Sequence, residues 1–363
     1  MRVIIDIGHP AHVHLFKNLA WKLLEKGDKV LFTCRDREHV VHLLRTYGFV
    51  YENFGKHYKT LRGKIVGLVK NELQILDTAI RFRPDMFISH GSTIAAHASF
   101  VVRKPHIALE DTFNMEQVRL SMPFTDVVLT GDYEHPLLGR KEIRYPGYHE
   151  LAYLHPNVFT PDETVLDGLG VDKSEKYAIV RFVAWAATHD LGHKGMSLNN
   201  KIKLVDLLSE NMKVFISSEE DLPYDLKRYQ IKIKPEEMHN ALAFAHLFVG
   251  ESATIASECA CLGVPAIYID NVGRGYTDHQ QERYGLVFNY NESEHGQQQA
   301  ILKAAELADR NHDDETYKVK RRLLLNDMID VSQFMEWFVS NYPHSRRMMS
   351  DNGFNWEQFR TRN

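Results

Sequence analysis

The chain has 363 residues, 44% hydrophobic and 25% charged, with a formal net charge of −4; this suggests two domains or one large one, with ample material for packed cores, and excludes a low-complexity or disordered chain. A net negative charge argues against nucleic-acid binding, which reads phosphates through a basic surface. Cys34, Cys259 and Cys261 are too few for a disulfide framework, and the C-x-C spacing of the last two is not the usual zinc or redox spacing, so all three read as small buried hydrophobes.

The start, MRVIIDIGHP, lacks the apolar core of a signal peptide. No run approaches the roughly 18 apolar residues of a membrane span. A reducing, cytoplasmic location is the expectation. Residues 2–7 form a short apolar strand closed by Gly8, and a helical pattern follows through Leu15, Phe16, Leu19, Leu23 and Leu24 to Gly27. Residues 29–34 form the next strand, which completes a strand–turn–helix–strand unit. The alternation continues with helices at 39–47, 61–82 and 93–102 and strands at 86–89, 105–109 and 126–130. Residues 147–171 lack clear strands and read as a linker.

Alternation then restarts. Strands are predicted at 177–182, 213–217, 247–250 and 265–269, and helices at 199–210, 236–246 and 254–262. A single helix is predicted over 317–338. Two such stretches predict an α/β protein with parallel sheets, whose ligands bind beyond the carboxyl ends of the strands. The expected division is a first domain over 1–150, a second over 151–335 and a tail over 336–363.

Several candidate site residues fall at those strand ends. Gly8 permits a sharp turn into a helix whose N-terminus suits an anion. His12 and His14 follow at once, as candidate acid, base or donor groups. Glu110 and Asp111 follow another strand; either is a candidate general base, and Asp111-Thr112 also reads as a helix cap. In the second half, Gly250 ends a strand and Ser252, Ala253 and Thr254 open a helix, a turn able to cradle a diphosphate. Glu258, one turn on, is placed to accept from ribose hydroxyls, although a helix-capping role fits the same residues. Arg181 ends a strand where it can pair with phosphate, with Trp185, His189, Asp190 and His193 beyond it. Gln280 and Gln281 offer amides to sugar hydroxyls. No metal site is expected, because the histidine-rich first turn has no accompanying carboxylate or cysteine spacing. The basic stretch Lys56, Lys59, Arg62, Lys64 and Lys70 reads as a solvated helix face, with weak contact to an anionic membrane as the alternative.

These pieces resemble a known family. The run Asp6-Ile7-Gly8-His9-Pro10-Ala11-His12-Val13-His14, the segment Ser89-His90-Gly91-Ser92, the run Tyr145-Pro146-Gly147-Tyr148-His149-Glu150-Leu151-Ala152-Tyr153-Leu154 and the stretch from Gly250 to Pro265 are similar to domain-of-unknown-function family 354. That family is grouped with GT-B glycosyltransferases. More distantly, the chain resembles peptidoglycan N-acetylglucosaminyltransferases and the non-hydrolysing UDP-N-acetylglucosamine 2-epimerases. The resemblance implies a GT-B-like pair of Rossmann-like domains facing an interdomain cleft, and a UDP-sugar or similar donor as substrate with no other cofactor. It implies diphosphate and ribose contacts at Ser252 and Glu258, and donor-sugar contacts near Gln280 and Gln281. The chain departs from it at Ala253-Thr254, where the relatives carry two glycines.

The expectation is a glycosyltransferase acting on a carbohydrate or lipid-linked acceptor in cell-surface polysaccharide or glycolipid synthesis, in the cytoplasm or at the inner face of the plasma membrane. The rivals are a sugar-nucleotide 2-epimerase on the same fold and a non-catalytic nucleotide-sugar-binding protein.

Overall fold

The computed structural model describes residues 1–37, 39–56, 61–183, 195–218, 221–310, 315–349 and 354–360, with side chains left out at 56 and 61–66. Trp185, His189, Asp190, His193 and Lys59 lie outside the described residues. The chain forms two units: residues 1–158 with 328–363, and residues 159–327.

The first unit is built on seven parallel strands: β1 (Arg2–Ile7), β2 (Lys29–Asp36), β3 (Tyr51–Lys56), β4 (Met86–His90), β5 (His106–Leu109), β6 (Val127–Gly131) and β7 (Glu142–Tyr145). Their spatial order is β3-β2-β1-β4-β5-β6-β7. Ile4 and Phe87 of the central strands pack with Leu31, Ile75 and Ile94 in one buried cluster. This continuous apolar character is what a parallel sheet covered on both faces requires. The order reverses between β1 and β4, the topological switch point at which doubly wound sheets bind ligands.

The second unit has five parallel strands: β8 (Tyr177–Phe182), β9 (Lys213–Ser218), β10 (Leu247–Gly250), β11 (Ala266–Ile269) and β12 (Val287–Tyr290). They are ordered β12-β11-β10-β8-β9, so the switch point lies between β8 and β10. The register sets Gly250 opposite Arg181 at that point.

The structure differs from the sequence expectations in several places. The strands β3, β7 and β12 come in addition to those predicted; each is short, and their interleaved polar residues hide the strand pattern. The predicted helix over 317–338 is two helices, Glu315–Asp327 and Val331–Ser340. Asp330 breaks it by capping the second, its side chain accepting from Gln333 N at 2.9 Å. The break is also the crossing from the second unit back to the first. Residues 328–363 therefore belong with the first unit rather than forming a C-terminal extension of the second and a separate tail. Phe334, Phe338 and Phe359 are buried there, and Ile329 N donates to Pro146 O.

Candidate functional site

At the first switch point, Gly8 leads from β1 into the helix Pro10–Glu25. His9 caps that helix, its Nδ1 accepting from Ala11 N at 3.2 Å. Pro10 stands where a missing N–H costs nothing, and no acidic residue occupies the first turn. His12 Nδ1 accepts from Gly8 N at 3.3 Å. Its ring stacks on His90, with centroids 4.4 Å apart and planes at 29°. The contact follows from sheet order: β1 and β4 are neighbours, with Asp6 beside Ser89.

His90 in turn meets Asp111 just beyond β5, with His90 Nε2 2.8 Å from Asp111 Oδ1. The other carboxylate oxygen lies 3.1 Å from His149 Nδ1. Burial disfavours charge on both His90 and Asp111, but their mutual attraction outweighs it. The His90 pKa is raised to about 9, and the Asp111 carboxyl is held well below its usual range by His90 and His149. His12 behaves oppositely. Burial and the positive charge of its neighbours His90 and His9 hold it well below the ordinary histidine value. A neutral imidazole is thus stacked on one that carries a proton toward a buried carboxylate.

The remaining first-unit candidates separate from this cluster. Glu110 Oε1 accepts from Thr112 N at 2.9 Å, Thr112 Oγ1 at 2.7 Å and Phe113 N at 2.8 Å, so its carboxylate closes the turn that aims Asp111. His14 is buried on the core side of its helix, 3.3 Å from the Tyr47 hydroxyl and against the Tyr153 ring. The general-base roles expected of Glu110 and His14 meet side chains already committed to the fold. Below the cluster, Asp6 accepts from Thr33 Oγ1 and Ser92 Oγ, each at 2.6 Å. Ser89 Oγ and Thr125 Oγ1 each lie 2.9 Å from a ring nitrogen of the fully buried His106. Spacing along the chain assigns no role to His90 or His149. Both stand inside the family-like runs, and that placement is the one signal that marks them.

At the second switch point, a Cβ on residue 250 would sit 2.5 Å from Arg181 O, so the strand contact demands glycine. Ser252 caps the helix Ala253–Leu262, its Oγ accepting from Ile255 N at 3.4 Å. Ala253 and Thr254 form the half-exposed first turn, which holds no acidic residue. The positive end of the helix is therefore not neutralised locally. Arg181 Nη1 donates to Ser217 Oγ at 2.6 Å. Gly250, Ser252, Ala253, Thr254 and Arg181 thus share one strand end.

The other second-unit candidates turn inward. Glu258 is 4% exposed, and its Oε1 is 2.9 Å from His239 Nε2. Gln280 is buried and donates to Ser257 Oγ at 2.8 Å. Gln281 is exposed, but its Oε1 accepts from Asn289 N at 2.6 Å, at the edge of the sheet. The ribose contact expected of Glu258 and the sugar contacts expected of the two glutamines meet side chains that the structure engages with protein partners. Glu251, which no motif singles out, is buried and accepts from Val183 N at 2.8 Å and Met196 N at 2.6 Å.

Two parallel α/β units of this order define a GT-B-type fold. Residues 1–274 match the family described as "Protein of unknown function (DUF354)", and the chain belongs to that family. An uncharacterised protein of Methanocaldococcus jannaschii is 26% identical over 277 residues, covering 73% of this chain and 80% of its own. Among solved structures, the UDP-GlcNAc 2-epimerase of Neisseria meningitidis bound to UDP-GlcNAc aligns with TM-score 0.62 at 14% identity, over 90% of this chain and 100% of that one. The M. jannaschii epimerase in complex with UDP-GlcNAc and UDP aligns with TM-score 0.63 at 12% identity, over 89% and 98%. The glycosyltransferase VinC in complex with dTDP aligns with TM-score 0.62 at 12% identity, over 96% and 100%. Among the described residues, no helix is long and apolar enough to cross a membrane.

Proposed function

We propose that this chain is a GT-B-type glycosyltransferase that takes a nucleotide-diphosphate sugar, a cytoplasmic enzyme of cell-surface polysaccharide or glycolipid synthesis. The observation that carries this reading is the neutral His12 at the first switch point, backed by His90 and Asp111. A neutral imidazole in the first turn of the helix after β1 is a proton acceptor available at physiological pH. The second unit by itself carries a serine-capped helix N-terminus beside Arg181, suited to a diphosphate.

In the transfer, the acceptor hydroxyl oxygen bonds to the anomeric carbon as the bond from that carbon to the diphosphate oxygen breaks. The hydroxyl proton passes to His12 Nε2, in the tautomer that releases the long Gly8 contact. The negative charge that develops on the leaving diphosphate is stabilised by the helix N-terminus and Arg181. No step in this scheme requires a further organic cofactor.

The test is a thermal-shift series with UDP, GDP, CMP and dTDP, repeated with Ser252→Val. A ligand that binds only the folded state raises the melting temperature. A rise for one nucleotide that is lost in the variant supports the donor half-site, and no rise for any of them overturns it. A 2-epimerase is the second reading, favoured by epimerase structures that match this fold as well as the transferase does. Epimer formation from a UDP-sugar without acceptor separates it from transfer, which releases the nucleotide.

A further inference from the structure

His90, Asp111 and His149 come from three separate stretches of chain, Asp111 being 21 residues from the first and 38 from the last. Each offers one atom of a kind that binds metals, and these atoms lie within 4.8 Å of one another. Ligand atoms held at 2.0–2.2 Å around a tetrahedral zinc ion stand about 3.3 Å apart. The two nitrogen–oxygen separations here, to opposite oxygens of Asp111, are 2.8 and 3.1 Å, and the three ligand atoms fall within 4.8 Å of one another, so an ion is seated by side-chain shifts on the order of an ångström.

The donor set is two imidazoles and one carboxylate, which suits a borderline divalent ion rather than magnesium or calcium. The ligands are also held firmly. His90 ends a central strand, and Asp111 sits within the turn closed by Glu110. His149 is 5% exposed, directly before the buried helix Leu151–Leu154.

A second observation points to something the chain does not itself supply. The Tyr145 hydroxyl is buried without a hydrogen-bond partner among the described residues, beside His149. The two rings stack with centroids 6.2 Å apart. Buried polar atoms are seldom left unsatisfied, and a hydrated ion brings water able to satisfy them.

We propose that His90, Asp111 and His149 bind one divalent transition-metal ion of the zinc type, with a coordination position left open. The site goes beyond the nucleotide-sugar reading and does not rest on it; the ion takes the place of the proton that His90 otherwise holds toward Asp111, since an imidazole ligates only through an unprotonated nitrogen. His12 is not a ligand; stacked on His90, it is held in place by the ion's ligand shell.

The probe is Co2+, titrated into the full chain after chelator treatment. The expected result is one saturable equivalent per chain, with visible d–d bands, displaced by Zn2+. Asp111→Asn and His149→Gln each remove a direct ligand and weaken binding by at least the roughly 10–100-fold that loss of an outer-shell partner costs. Their far-UV circular dichroism serves as the folding control. X-ray absorption on the zinc-loaded wild-type chain needs no variant and should read two imidazole ligands. His12→Gln should bind Co2+ as the wild type does. The chain has 20 histidines, so binding that persists equally in both ligand variants overturns the proposal. Absence of saturable binding by the folded wild-type chain, or an absorption spectrum without two imidazoles, overturns it as well. A chain that shifts with UDP but binds no Co2+ loses this site and keeps the nucleotide reading. A chain that binds Co2+ as expected but shifts with no nucleotide keeps the site and loses that reading.

Discussion

The two switch points are built alike and furnished differently. In the first unit, strand ends bring together titratable side chains: His12, His90, Asp111 and His149. In the second, the strand end presents backbone N–H groups, a serine and Arg181, while its nearby carboxylates Glu251 and Glu258 face inward. Parallel sheets create a crevice at the carboxyl ends whatever the sequence. What each crevice can do depends on which side chains the turns leave unspent. The first unit spends Glu110 on its turn and leaves Asp111 for the cluster; the second spends its carboxylates and leaves an anion-binding helix end.

The sharpest way to break this division is His12→Gln. Loss of a general base should lower turnover by about 10²–10⁴-fold, with nucleotide affinity unchanged. Rates of nucleotide release, set beside calorimetric binding constants, check this; a parallel loss of affinity would show that the two ends do not divide the work as argued.

A smaller effect concerns stability. His106, enclosed between Ser89 and Thr125, has its pKa lowered to about 3 by burial. The unfolded chain therefore binds a proton that the folded chain refuses. Stability is full above about pH 6.5 and falls as the pH drops below it, by up to about 1.4 kcal/mol per pH unit. Denaturant midpoints between pH 7 and pH 4 should show that slope, and His106→Gln should flatten it.

Next in size is Glu258→Ala. It leaves the buried His239 without its carboxylate partner, so about 1–3 kcal/mol of stability should be lost. Nucleotide affinity, corrected for the lower melting temperature, should hold. A selective loss of affinity would instead restore Glu258 as a ribose ligand and sharpen the account of the second unit.

The smallest effect is expected of Ser252→Ala. The cap contributes about 1 kcal/mol, read as a modest drop in denaturant midpoint together with weaker UDP binding. An unchanged UDP affinity would remove the serine from the donor half-site.

Much of the fold is legible along the chain. β1, β8, β10 and the helix Leu61–Phe82 have the bounds their apolar pattern predicts, because local burial dictates them. The strand-end turns at Gly8, Asp111 and Gly250 are legible for the same reason. Less legible is what each side chain does on arrival. His12 and His14 are two residues apart on one helix, which is enough to send one to the cluster and the other into the core.

Short-range pattern is enough to set the alternation of strands and helices, the candidate turns at strand ends and the membership of the family. The meeting of His90, Asp111 and His149, the inward turn of Glu258 and Gln280, and the return of residues 328–363 to the first unit arise only in the folded chain. Contacts between residues dozens of positions apart leave no spacing to read. They exist because sheet order and register carry distant stretches of chain to the same edge.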